Sequence, residues 1–198
     1  MVLNKNEMKT QFEELVEKYD SDDQLRDKII GITRTITKLA KQSIYATHRH
    51  ELEDAKKLID EAENELEKAN KIISSAGMYL MNTLRSAIEE YVEAKAFYEY
   101  ITEKKLILIK NLKFEIPYET YMEALCDFTG ELAKFSVTLA TNNDLEGVKE
   151  IKETIEEIYG FFLKFDFRSS ELRRKFDSLK YNLNKLETII YDLGLKLK

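Results

Sequence analysis

Four carboxylates in two short stretches have the spacing of a divalent-metal site. Glu90 and Glu93 stand three apart in EEYVEAKAFYEYI (89–101), and Asp127 and Glu131 stand four apart in EALCDFTGELAKFSVTLA (123–140). Side chains three or four apart are neighbours on a helix surface. If the two helices pack antiparallel, as a short connection favours, the pairs converge. Three or four carboxylates meeting inside a bundle are ligands for hard cations such as Mg²⁺ or Mn²⁺, and such an ion can activate water and stabilise a phosphodiester transition state. The surroundings sharpen the expectation. At about 100° per residue, Glu90 and Glu93 share a side with Ala94, Phe97 and Ile101, while Ile88, Tyr91, Val92 and Tyr98 occupy the opposite side. A helix apolar nearly all round is usually buried, and a buried carboxylate needs a cation, hydrogen bonds or a raised pKa to offset lost hydration. A blander reading stands beside this one: Glu123, Asp127, Glu131, Lys134 and Thr138 form one polar stripe, the pattern of an ordinary wet face.

A second constellation is basic. With Arg34 as origin, Lys38, Lys41, Tyr45, His48 and Arg49 fall within about a third of a helix circumference, opposite Ile29, Ile32, Ile36 and Leu39. Lys and Arg neutralise phosphates, and Tyr45 or His48 can stack on an unpaired base; the same pattern also describes the solvated face of an amphipathic helix. Arg168, Arg173, Arg174 and Lys175 form a further basic run. A ferritin-type iron site is disfavoured, since Glu-x-x-His pairs are absent. The single cysteine, Cys126, excludes an intrachain disulfide and a cysteine zinc site, and it reads as a small buried hydrophobe.

The positioning elements are helical. One Pro and six Gly in 198 residues are too few for a sheet protein rich in turns. The pattern predicts an all-α, single-domain bundle of seven helices across residues 1–198. The first runs from Asn4 to Tyr19, and Ser21 with Gln24 forms a capping box opening a second that reaches His48. The third covers Leu52–Ile73 with apolar residues at alternating steps of three and four, and is broken by Ser-Ser-Ala-Gly at 74–77. The fourth covers Tyr79–Lys104. Pro117 opens a fifth, and Asn142, Asn143 and Asp144 end it and cap a sixth, whose buried side carries Leu145 through Phe165. Ser169 or Ser170 caps the last, where Leu172, Phe176, Leu179, Leu183, Leu186, Ile190 and Leu193 repeat as heptads. No apolar run approaches a membrane span and the N-terminal residues lack a signal-peptide core, so a cytoplasmic, membrane-free protein is expected. Net charge is −6, which disfavours a general nucleic-acid binder. The charge is segregated, however: Leu25–His50 holds six Lys/Arg against the single acid Asp27.

The C-terminal run SSELRRKFDSLKYNLNKLETIIYDLGLK closely resembles the last helix of the translin/Trax family, which shares an L-R-K-x-[YF]-D-x-L-K-Y core. EYVEA (90–94) and DFTGEL (127–132) resemble the Trax segments EYVEA and DLTGEL, and RTITKLAKQSIYATHR (34–49) matches more loosely. The resemblance implies a seven-helix fold assembling into a closed octamer that binds single-stranded RNA and DNA on its inner surface. In Trax-type subunits it implies acidic ligands for a Mg²⁺-dependent endoribonuclease. Carried over by motif, those positions are Glu90, Glu93 and Asp127. Glu131 matches too, but it is acidic in translin-type members as well and discriminates less. The basic stripe Arg34, Lys38, Lys41, Tyr45, His48 and Arg49 corresponds to a region the family uses for nucleic acid. The last helix resembles translin and the acidic motifs resemble Trax, so one polypeptide is expected to serve both roles as a homo-oligomer, with Mn²⁺ a possible substitute for Mg²⁺. The alternative is a non-catalytic single-strand-binding scaffold.

Overall fold

The computed structural model describes residues 5–76 and 80–196. Asn4, Gly77 and Tyr79, used above as boundaries, lie outside them. The described residues form six α-helices: α1 (Lys5–His48), α2 (Leu52–Ala76), α3 (Met81–Glu103), α4 (Tyr118–Thr141), α5 (Leu145–Phe162) and α6 (Ser170–Lys196). The expected count of seven is therefore corrected to six among the described residues. The capping box at Ser21 does not start a helix, because α1 passes through it unbroken. Ser and Asp cost only a few tenths of a kcal/mol each inside a helix, and no Gly or Pro stands near to stop it. The true stop is at Arg49–His50, where His50 adopts a left-handed φ of 59°.

α1 and α2 form an antiparallel hairpin. Ala55, Ala62 and Ala69 alternate with Ile59, Leu66 and Ile73 on the buried side of α2, and the small residues let the helices approach closely enough for Ser43 Oγ to donate to Ala55 O at 3.0 Å. α3 lies between this hairpin and α4, which explains its all-round apolarity: Ile88, Tyr91, Val92, Ala94 and Phe97 are all buried.

The relation of α3 to α4 differs from the antiparallel expectation. Arg85 binds Glu123 at 2.8 Å near the start of both helices, and Phe97 meets Phe135 at 6.1 Å further along both, so the two run parallel. α1 runs the same way against α3, since Thr33 Oγ1 donates to Thr83 O at 3.3 Å and the His48 ring lies 4.6 Å from Phe97. The reason is the 104–117 connection, which returns along the bundle instead of turning tightly. At about 3.3 Å per extended residue it can span α3, whose 23 residues are about 34 Å long. Ile107, Leu112 and Ile116 bury themselves on the way, and the Tyr121 hydroxyl donates to Ile107 O at 2.6 Å.

Pro117 precedes the first residue of α4, with φ −55°. Asp144 caps α5 as expected, accepting from Gly147 N at 2.9 Å; a Cβ at Gly147 would come 2.5 Å from that carboxylate. Ser169 Oγ accepts from Leu172 N at 3.3 Å at the start of α6. Of its heptad positions, Leu172, Leu179, Leu186 and Leu193 are buried, while Phe176, Leu183 and Ile190 pack at the core margin. Phe165, expected on the buried side, is exposed beyond the end of α5.

Candidate functional site

Three parallel helices side by side leave a groove over the middle one. The resulting cleft, about 620 Å³, has Glu90 and Glu93 of α3 on its floor. One wall is Lys41, Ile44, Tyr45 and His48 of α1, and the other is Glu131, Lys134 and Thr138 of α4. The register of α3 on α4, parallel rather than antiparallel, brings Glu93 within the electrostatic reach of Asp127 and Glu131.

Each carboxylate has a distinct environment. Glu93 is 9% exposed and has no hydrogen-bond or ion-pair partner among the described residues. Burial, then the charges of Asp127, Glu90 and Glu131, push its carboxyl up to about 9. Glu90 takes a salt bridge from Lys41 at 3.0 Å, and that hydrogen bond raises the Lys41 pKa. Burial pushes the Glu131 carboxyl up, but the His48 imidazole 2.5 Å away and the nearby Lys134 ammonium hold it below the usual range. Asp127 accepts from Lys175 Nζ of α6 at 2.5 Å, and the same ammonium binds Glu89. Glu89 remains pushed up to about 7, first by burial, against the pull of Lys175.

The polar stripe on α4 is a wet face only towards its C-terminal end, where Lys134 and Thr138 are exposed. Glu123 is fully buried and held by Arg85 through both carboxylate oxygens, at 2.8 and 2.9 Å. Two participants were not foreseen. Lys175 belongs by sequence to the basic run of Arg168, Arg173 and Arg174, yet it is half-buried and bridges Glu89 and Asp127. Glu89 stands next to Glu90 in sequence but faces α6 instead of the cleft. The signal for Glu89 was present in the doubled EE; for Lys175 nothing local distinguished it from Arg173 and Arg174. Cys126 is buried, and burial pushes its thiol up to about 12, which suits a core residue.

The basic stripe splits in two. Arg34 and Lys38 are exposed and make no ion pair among the described residues. Tyr45 is exposed at the cleft edge, with the Arg49 guanidinium 5.6 Å from its ring centroid and bound to Glu51 at 2.7 Å. Lys41 and His48 are instead committed to the acidic floor and wall.

The donor set, all carboxylate oxygen, suits a hard cation, and the unpartnered Glu93 is the group such an ion would satisfy. Among the described residues, however, no three His, Cys, Asp or Glu side chains are gathered closely enough to enclose an ion. Glu131 and Asp127 are instead paired with His48 and Lys175.

A helical bundle with an acidic-floored, basic-walled cleft is the class these features define. The chain belongs to the Translin family, whose model matches residues 24–196. It is 27% identical to an uncharacterized protein of Methanocaldococcus jannaschii over 89% of this chain and 80% of that one. It is 20% identical to Translin-associated protein X of Rattus norvegicus over 93% of this chain and 78% of the relative. Among solved structures it resembles apo-NeC3PO, at 25% identity and TM-score 0.79 over 98% of both chains. It also resembles AfC3PO in a complex with duplex RNA, at 20% identity and TM-score 0.84 over 94% of this chain and 97% of that one. No helix among the described residues is long and apolar enough to cross a membrane.

Proposed function

We propose that this protein is a metal-dependent endoribonuclease acting on single-stranded RNA inside a homo-oligomeric shell, an octamer in the cytoplasm. The observation that carries the reading is the buried, unpartnered Glu93 at the floor of a cleft lined by Lys41, His48 and Lys134, under the charges of Glu90, Asp127 and Glu131. Family membership and the duplex-RNA complex of AfC3PO support nucleic acid as the ligand.

Glu90, Glu93, Asp127 and Glu131 would hold a Mg²⁺ or Mn²⁺ ion. When bound, that ion supplies water activation and charge neutralisation at a phosphodiester. The remaining work falls to the chain. Arg34 and Lys38 lie one to two turns before Lys41 on the same face of α1, placed to meet the phosphates of a strand entering the cleft. Tyr45 offers an exposed ring on which a base can stack. His48, packed against Phe97, donates to Glu131, and Lys175 fixes the position of Asp127 through an ion pair.

Labelled single-stranded RNA incubated with and without Mg²⁺ tests the reading. Wild type cleaves only with Mg²⁺, and Asp127→Asn binds without cleaving; equal cleavage by the two proteins contradicts it. The salt dependence of binding tests the rim. Replacing both Arg34 and Lys38 with Ala removes two phosphate contacts, so the slope of log affinity against log salt shrinks by about 1.4. Fluorescence anisotropy between low and moderate salt measures this, and an unchanged slope removes α1 from the binding surface.

A second reading, a scaffold that holds single strands without cutting them, is favoured by the commitment of Glu131 to His48 and Asp127 to Lys175. It predicts salt-sensitive binding and no product on prolonged incubation with Mg²⁺ or Mn²⁺.

A further inference from the structure

The first 17 residues of α1, Lys5 to Ser21, are exposed along their whole length. At 1.5 Å per residue they form an arm about 25 Å long. The arm is not a polar extension. Met8, Phe12, Leu15, Val16 and Tyr19 fall within an arc of about 100° at 100° per residue, and all five are solvent-exposed, Phe12 at 60% and Tyr19 at 72%. Large apolar residues concentrated on one exposed face mark an interaction surface.

The spacing says what kind of surface. Met8, Phe12, Leu15 and Tyr19 follow alternating steps of four and three, the core positions of a coiled coil. Continued along α1, the same series reaches Ile29, Thr33, Ile36, Ala40, Ser43 and Thr47, all buried against the rest of the bundle except the half-buried Thr33. One seam therefore runs the length of the helix, satisfied from Ile29 onward and open before it, with Asp22 and Arg26 interrupting it between the two parts. The arm also precedes the residues matched by the family model, which begin at 24.

We infer that the arms of two copies of this chain pair through this seam as a short parallel coiled coil. The charges favour self-pairing. In heptad terms Lys18 is at g and Asp23 at the following e, so parallel pairing sets Lys18 of each copy opposite Asp23 of the other, the usual partner-selecting contact. Neither residue has an ion-pair partner within its own chain among the described residues. Glu13, Glu14, Glu17 and Asp20 project away from the seam, where their repulsion does not oppose association. Asp22 and Arg26, which would each meet their own copy across the seam, end the pairing before the bundle begins. This pairing does not depend on whether the cleft cleaves RNA.

Light scattering on the full chain tests the pairing. The Phe12→Glu/Leu15→Glu double variant alters two exposed side chains that lie outside the core cluster of the described residues, so the bundle keeps its thermal transition while the assembly mass falls by at least half. A wild-type chain that is monomeric, or a variant retaining the wild-type mass, overturns the inference. Orientation is read separately with Leu15→Cys. Because Cys126 is buried, the introduced thiol is the reactive one, and parallel pairing yields a disulfide-linked dimer on mild oxidation. A Leu15→Cys protein that remains uncrosslinked overturns arm-to-arm pairing, whatever else the arm contacts.

Discussion

Glu93→Gln is expected to lower Mg²⁺-dependent RNA cleavage by about 100-fold or more, the usual loss when a preorganised electrostatic group at a reacting centre is removed. Single-strand affinity should change by less than about threefold if, as proposed, phosphates are met by the α1 rim and not by the cleft floor. The same substitution changes stability in a direction that identifies the cause. The Glu93 carboxyl has an ordinary value of 4.5 and is pushed up to about 9 in the folded protein, first by burial and then by its acidic neighbours. Below the ordinary value both folded and unfolded chains carry the proton, and nothing is lost. Above it the unfolded chain ionises while the folded one keeps its proton, so stability declines as pH rises, by up to about 1.4 kcal/mol per unit, until the folded value is reached. Urea titrations at pH 5 and pH 7 should therefore show Glu93→Gln gaining about 2.5 kcal/mol on wild type over that interval. Parallel stability profiles would mean that Glu93 is not held protonated.

The second large effect lies away from the cleft. Glu63 of α2 is buried and accepts from the Tyr91 hydroxyl at 2.5 Å, from Lys95 and from Lys113 on the 104–117 connection. Burial pushes its carboxyl up, but these three donors hold it down at about 2. Its contribution is thus complete above the ordinary carboxylate value and is lost as pH falls toward 2. Glu63→Ala leaves the Lys95 ammonium, 15% exposed, without its counter-charge, and breaking one partner of a buried pair costs about 3–5 kcal/mol. The connection that gives α3 and α4 their parallel register loses its tie to α2 in the same step. Denaturation at pH 7 measures the loss; a change under about 1 kcal/mol would show that the network is dispensable.

Much of this was legible in the residues themselves. The near absence of Gly and Pro declared a helical protein, and the heptad leucines of α6, the alternating Ala and Ile of α2 and the Asp144 cap each behaved as their chemistry requires. The all-round apolarity of EEYVEAKAFYEYI located the central helix, and the carboxylates within it located the cleft floor. What the residues did not disclose depends on chain path. Helix direction across residues 104–117 is set by burial of Ile107, Leu112 and Ile116, and no local signal separates a return connection from a tight turn. Lys175 looks like any lysine in a basic run until α6 lays it between Glu89 and Asp127. The Ser21 capping box failed for a different reason: a cap only helps a helix begin, and with nothing to end α1 before it, the helix continued.

The central claim is that acidic side chains from α3 and α4 meet at Glu93 to hold a divalent ion. Calorimetric titration of Mn²⁺ into the protein at pH 7, repeated in two buffers of different ionisation enthalpy, tests it directly. Because the Glu93 carboxyl is pushed up to about 9, ion binding must expel its proton. The account predicts saturable binding with release of about one proton per ion, and loss of both in Glu93→Gln. Binding without proton release, or equal binding by Glu93→Gln, would contradict it.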